Sequence, residues 1–253
     1  MIRVFRVLFG IYALLIFPGT MIITTILYAI IFLAFPEKKA PHVAHRLSQI
    51  WARVLMTLFF MPIRIRNKEY IDPKKTYVMV ANHQSQLDIP LYALSCSNTV
   101  RFLAKAELTK IPLMGFIIRK LYLSVNRQDR GDRNKSIEVM RKSLDEGISV
   151  FLCPEGTRNR YEDPPLLDFR DGAFRLAIAT QTPLAGFVVL NTGRKLSPLQ
   201  PIALAPGTLH GVWLKPIETR GMTMEDVGAL KEHVREEMRK KLAEFRGLAP
   251  KGL

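Results

Sequence analysis

A histidine and an aspartate separated by four residues, His83 and Asp88, lie in the stretch Ala81-Asn82-His83-Gln84-Ser85-Gln86-Leu87-Asp88. An imidazole held by a carboxylate is a general base that can take the proton of an attacking hydroxyl. The plainer reading makes Asp88 a helix N-cap, with Pro90 in the first turn and His83 an ordinary loop residue. A second constellation is Pro154-Glu155-Gly156-Thr157-Arg158. Its glycine lets backbone approach a ligand, and Arg158 suits bidentate binding of phosphate. Backbone N–H groups around Gly156 and Thr157 suit an anion or a developing oxyanion. Here the plainer reading is a turn with a Glu155–Arg158 surface pair, worth little. Lys105 and Arg127 are two further cations, each otherwise explained by snorkelling at a sheet edge. No Walker loop is present. His42 and His45 lack a nearby third ligand, and neither Cys96 nor Cys153 stands in a CxxC pattern, so no metal site or disulfide framework is expected.

These residues fall where strands end. Apolar, β-branched runs predict strands at 62–66, 76–80, 100–104, 121–125, 148–152, 184–190 and 210–214. Between them, helices are expected at 89–94, 107–110, 112–120, 136–146 and 172–180. A final helix follows Thr223-x-x-Asp226, with Val227, Leu230, Val234, Met238 and Phe245 on one face. Residues 127–135 and 192–201 read as loops. The alternation predicts an α/β fold, a mixed central sheet flanked by helices. His83, Lys105, Arg127 and Arg158 each follow a strand's carboxyl end; if those strands are neighbours, the four groups meet on one rim. One base among several cations suits a phosphate-bearing substrate with a hydroxyl to activate.

Residues 7–35 carry no charge, which points to a membrane segment. The run is long for a signal peptide, and no small-x-small cleavage pattern follows it. Pro18-Gly19 splits it into arms of about 11 and 16 residues, roughly 16 and 24 Å at ~1.5 Å per residue, short of a ~30 Å hydrocarbon core. Arg3, Arg6, Lys38 and Lys39 flank both ends. The expectation is a membrane-inserted, re-entrant helical hairpin, monotopic at the cytoplasmic face of the cell membrane. Residues 42–60 form an amphipathic helix, giving membrane-anchoring helices over 1–60 and an α/β domain over 61–253. The net charge of the 253 residues is +15, from 37 basic and 22 acidic side chains. That balance suits anionic membrane lipids or an acidic carrier protein. The basic residues show no aromatic interleaving, so nucleic acid is not an expected partner.

Asn82-His83-x4-Asp88 resembles the NHx4D motif of the glycerolipid acyltransferases, and Pro154-Glu155-Gly156-Thr157-Arg158 resembles their PEGTR motif. Lys105-x-Glu107-Leu108, with Pro112, Gly115 and Arg127, is similar to the block between them. Leu166 to Phe174 resembles the stretch after PEGTR in the 1-acylglycerol-3-phosphate acyltransferases. The likeness covers roughly residues 76–190 and departs at Asn126, Arg170 and Gly186, where the family usually has Asp, Lys and Pro. It implies transfer of a fatty acyl group from acyl-CoA or acyl-carrier protein to the sn-2 hydroxyl of lysophosphatidic acid, forming phosphatidic acid. His83 would be the base in a direct attack, with Asp88 holding it. Lys105, Arg127, Glu155, Gly156, Thr157 and Arg158 would bind the substrate phosphate, with no metal or cofactor. Alternatives are an acyltransferase for glycerol 3-phosphate or another lysolipid, or a non-enzymatic peripheral protein that binds anionic lipid.

Overall fold

The computed structural model describes residues 2–125 and 130–248; Arg127 lies outside them. The strands are β1 (Ile63–Arg66), β2 (Val78–Ala81), β3 (Val100–Lys105), β4 (Leu123–Val125), β5 (Ser149–Leu152), β6 (Leu184–Val189) and β7 (Leu209–Trp213). The helices are α1 (Ile2–Ala34), α2 (Ala40–Leu58), α3 (Asp88–Ser95), α4 (Met114–Leu121), α5 (Arg130–Asp145), α6 (Gly172–Ala179), α7 (Thr192–Lys195) and α8 (Val227–Leu248).

The strands form one sheet in the order β1-β7-β6-β2-β5-β3-β4. β6, β2, β5, β3 and β4 run parallel. β7 is antiparallel to β6, and β1 is parallel to β7, so the sheet is mixed. Side chains alternate across it. Val78, Val80, Val150 and Leu152 pack on one face with Leu176, Leu230, Val234 and Met238 of α6 and α8. Tyr77, Met79, Ala81 and Phe151 pack on the other with Leu91 and Tyr92 of α3. Burial on both faces explains why the central strands read as unbroken apolar runs. Gly186 lies mid-strand in β6, where Leu214 and Met238 fill the space beside it, so the missing proline leaves the sheet continuous.

The N-terminal hairpin is made by α1 and α2, not by two arms meeting at Pro18-Gly19. α1 runs unbroken through Pro18 for 33 residues, roughly 50 Å. Thr20, Thr24 and Thr25 donate their hydroxyls to Phe17, Thr20 and Met21 carbonyls, so these polar groups are satisfied inside an otherwise apolar helix. By length and composition α1 suffices to cross a membrane, and Leu8, Leu15, Ile23, Ile26 and Leu33 are exposed. Its other face is packed. Ala13 clusters with Leu55, Met56, Leu87 and Leu204, and Met21 and Tyr28 cluster with Ala44, Ile117 and Leu121. A Cβ on Gly10 would fall 1.6 Å from the Ile202 carbonyl oxygen, so only glycine permits this contact.

Two segments expected to be loops are partly helical. α5 begins at Arg130, inside the charged run 127–135, and α7 opens the segment 192–201. The capping box at Thr223 and Asp226 forms as expected, as a single 3-10 turn leading into α8.

Candidate active site

The strand order sets the site. β2, β5, β3 and β4 are parallel neighbours, so their carboxyl ends share one rim. His83 follows β2, the Glu155–Arg158 loop follows β5, and Lys105 closes β3. β6 is the other parallel neighbour of β2, and it delivers Thr192 to the same rim.

His83 Nδ1 lies 2.6 Å from Asp88 Oδ2. A carboxylate can only accept, so Nδ1 carries a proton, and in the neutral imidazole Nε2 is the atom with the lone pair. The imidazole is 17% exposed while Asp88 is fully buried, so the ring is reachable and its partner is dry. Asp88 Oδ2 also accepts the N–H groups of Gln84 (2.7 Å) and Ser85 (2.9 Å), and Thr192 Oγ1 donates to Oδ1. Asp88 is therefore no ordinary N-cap. It is the first residue of α3, and its carboxylate turns back to hold the loop between itself and His83. These four hydrogen bonds offset the cost of burying the charge.

Asn82 and Tyr92 hold the backbone beside His83 from below. The Asn82 amide donates to the Val189 carbonyl (2.9 Å) and accepts the Val189 N–H (2.7 Å), so a side chain continues the pairing of β2 with β6. The Tyr92 hydroxyl donates to the Asn82 carbonyl at 2.6 Å, and its ring packs on Phe151 with centroids 4.6 Å apart. The Cys153 thiol lies 3.7 Å from that same hydroxyl.

The two sequence blocks meet on the backbone of His83. Its N–H donates to Glu155 Oε1 (2.8 Å), and its carbonyl accepts the Asn159 N–H (2.7 Å). Glu155 Oε2 accepts the Leu167 N–H at 2.8 Å. Glu155 is thus a buried brace between loops, with both oxygens occupied, and not the phosphate contact expected from its motif. Burial pushes its carboxyl up to about 7; the Leu167 and His83 amides oppose that rise, and the Asp88 charge adds to it.

Gly156 has φ +72°, and a Cβ there would fall 2.8 Å from Arg170 Nε. Arg170 therefore lies against this glycine, a second cation at the loop beside Arg158. The Gly156 N–H donates to the Cys153 carbonyl within the turn. The N–H groups of Thr157 and Arg158 have no acceptor among the described residues. Thr157 is exposed and Arg158 half-buried, next in sequence to the Asn159 amide that touches His83. Lys105 is exposed and pairs with Glu107 at 3.0 Å. Thr192, Arg170, Asn82 and Tyr92 were missed as site residues. Arg170 and Asn82 stood inside the recognised blocks, whereas nothing local marks Thr192.

Known proteins place this arrangement in a class. A profile of the acyltransferase family matches residues 62–190, which contain His83, Asp88 and the Glu155–Arg158 loop. The chain belongs to that family. Among its relatives, the 1-acyl-sn-glycerol-3-phosphate acyltransferase of Saccharomyces cerevisiae is 30% identical over 80% of this chain and 67% of its own length. The alpha form of that enzyme from Mus musculus is 30% identical over 78% of this chain and 68% of its own. The crystal structure of the 1-acyl-sn-glycerophosphate (LPA) acyltransferase PlsC from Thermotoga maritima superposes with a TM-score of 0.84, covering 99% of this chain and 100% of that one at 24% identity, a likeness of fold.

Proposed function

We propose that the protein moves a fatty acyl group from a thioester to the sn-2 hydroxyl of lysophosphatidic acid, giving phosphatidic acid. The observation that carries this reading is the buried Asp88 carboxylate 2.6 Å from a partly exposed imidazole, on a backbone gripped by the Glu155–Asn159 loop. An alcohol is a weak nucleophile at neutral pH. His83 Nε2 takes its proton as the oxygen attacks the thioester carbonyl, and Asp88 stabilises the imidazolium that forms. The N–H groups of Thr157 and Arg158 are the available donors for the oxyanion. Arg158 and Arg170, with Lys105 further along the rim, are the cations for the substrate phosphate, and Arg127, outside the described residues, remains a candidate on its motif alone. The proton returns from His83 to the departing thiolate. No step requires a thiol nucleophile.

In this reading residues 1–60 anchor the α/β domain of 61–253 from the cytoplasmic side. α1 touches the domain near both ends, through Gly10 and Tyr28, so it lies along the body instead of projecting from it. A helix held so, with one bare apolar face, suits a monotopic position in one leaflet, from which a lysolipid reaches the rim.

The test is transfer of labelled acyl groups from acyl-CoA and from acyl-carrier protein to lysophosphatidic acid, glycerol 3-phosphate and other lysolipids. Wild type is expected to favour lysophosphatidic acid, and His83→Ala to lose transfer while keeping its fold and membrane association. Substantial turnover by His83→Ala would defeat the mechanism, and preference for another acceptor would replace the substrate.

A further inference from the structure

Away from the rim, at the sheet edge formed by β1, lies a cleft of about 410 Å³ walled by Arg53, Arg64, Arg66 and Lys68 above the partly buried Ile63 and Ile65. Arg64 and Arg66 are the exposed alternate residues of β1, so both side chains leave one face of the strand about 7 Å apart. Arg53 reaches in from α2, and Lys68 from the turn after β1, where its ammonium donates to the Leu94 carbonyl at 3.0 Å. Among the described residues none of these four cations is in an ion pair. On α8, by contrast, Arg239, Lys240 and Lys241 each pair with a glutamate. Partial desolvation, then repulsion from Arg53, pulls the Lys68 ammonium below its ordinary range. Desolvation, then Arg64 and Arg66, does the same to the His210 imidazole. Positive charge is concentrated here, and among the described residues no carboxylate pairs with it.

The surroundings indicate what supplies that counter-charge. Arg53 shares the exposed side of α2 with Ile50, Val54 and Leu58, and Phe60 follows at the helix end. This apolar surface joins the bare face of α1, since Phe9 packs on Phe60 and the Tyr12 hydroxyl donates to the Leu58 carbonyl. A bilayer that covers α1 would bring its headgroups level with the cleft. Among the described residues no aromatic side chain lines the cleft to stack a nucleotide base.

We propose that this cleft is a second, non-catalytic site, which takes the phosphate of an anionic phospholipid headgroup and grips the membrane beside α2. Arg64 and Arg66 supply bidentate donors, and Arg53 and Lys68 close the far wall. The proposal rests on the membrane reading of α1 and is independent of the acyl-transfer chemistry.

The test is cosedimentation of the full chain with vesicles of phosphatidylcholine alone and of phosphatidylcholine containing phosphatidylglycerol. The variants are Arg64→Gln/Arg66→Gln and, from the opposite wall, Arg53→Gln/Lys68→Gln. Lys74→Gln/Lys75→Gln, at a turn outside the cleft, removes the same net charge. Both cleft variants are expected to lose roughly thirtyfold in affinity for anionic vesicles at low salt. Binding to neutral vesicles, which reports α1, should be unchanged, and the lysine pair should lose no more than a few-fold. Equal losses in all three variants would reduce the cleft to bulk charge, and wild-type binding by both cleft variants would refute it. Thermal shift with inorganic phosphate separates the sources: saturable stabilisation that the Arg64/Arg66 variant lacks would make this a site for free phosphate and overturn the lipid assignment. Failure of acyl transfer would leave these measurements untouched.

Discussion

Asp88→Asn is the sharpest perturbation of the site, because three donors converge on one carboxylate oxygen and a fourth on the other. The amide can turn its oxygen toward Gln84, Ser85 and His83 and donate its NH2 to Thr192 Oγ1, so the loop has a way to persist. What disappears is the charge. Exchanging charge-assisted bonds for neutral ones costs about 2 kcal/mol of stability. For a chain of this length that is a melting point lower by about 4–8 °C. In the proposed mechanism the larger effect falls on the transition state, where an imidazolium forms beside a partner that no longer carries a negative charge. At about 4 Å between charge centres and an effective dielectric near 20, the lost attraction is about 4 kcal/mol. That corresponds to roughly a thousandfold in kcat. The assay is steady-state transfer to lysophosphatidic acid, with kcat and KM separated and unfolding followed on the same preparation. KM should move by no more than about threefold, since the His83 imidazolium forms only as the hydroxyl attacks and not in the ground-state complex. A folded variant with less than a tenfold loss in kcat would refute the electrostatic role, as would a loss confined to KM.

Two other groups titrate with consequences. Glu155→Gln fixes the uncharged form of the brace and gives up one of its two backbone bonds at every pH. Its kcat should fall about tenfold at pH 8, the worth of one hydrogen bond near 1.4 kcal/mol. The gap should narrow at pH 6, where the wild-type carboxyl, raised to about 7, is itself protonated; a gap constant with pH would remove the charge from the explanation. The folded Glu155 binds its proton more tightly than the unfolded chain does, so its contribution to stability declines as pH rises from about 4.5 to 7. His45 works in the opposite direction. It is buried with neither ring nitrogen hydrogen-bonded among the described residues, and burial, then His42, lowers its pKa from 6.5 to about 4. The unfolded chain binds the extra proton, so stability falls as pH drops below about 6.5 and levels off below about 4. Between pH 7 and 5 the loss is about 2 kcal/mol. Urea unfolding of His45→Phe should lack that component, and an unchanged slope would place the acid sensitivity elsewhere.

The central strands were legible because a parallel sheet covered on both faces must be apolar throughout, and Val78–Ala81 and Ser149–Leu152 are buried at every position. The adjacency of β2 and β5, which joins the two sequence blocks, was expected only conditionally, since spacing along the chain does not fix strand order. Thr192 was hidden for the same reason. It follows Asp88 by 104 residues and reaches it only because β6 lies beside β2. Glu155 was misjudged because a motif fixes residue identities and not directions. Its carboxylate points into the protein toward two amides while the adjacent Gly156 meets Arg170.

Pro18 misled for an energetic reason. Inside a helix a proline costs about 3 kcal/mol, enough to suggest a break when local preferences alone are weighed. The clusters on either side change that balance. Ala13 is buried before the proline, and Met21 and Tyr28 after it, against partners from α2, α4 and the segment around Leu204. Large buried side chains contribute about 1.5–3 kcal/mol each, so holding both halves in one line outweighs the defect. The outcome matters for the chemistry. Leu87, between His83 and Asp88 in the turn proposed to carry the chemistry, belongs to the same cluster as Ala13. The helix whose outer face is bare apolar surface thus packs its inner face onto the turn that positions His83. A helix broken at Pro18 would free its second half from the line that Ala13 fixes, and with it the alignment between the bare face of α1 and the rim.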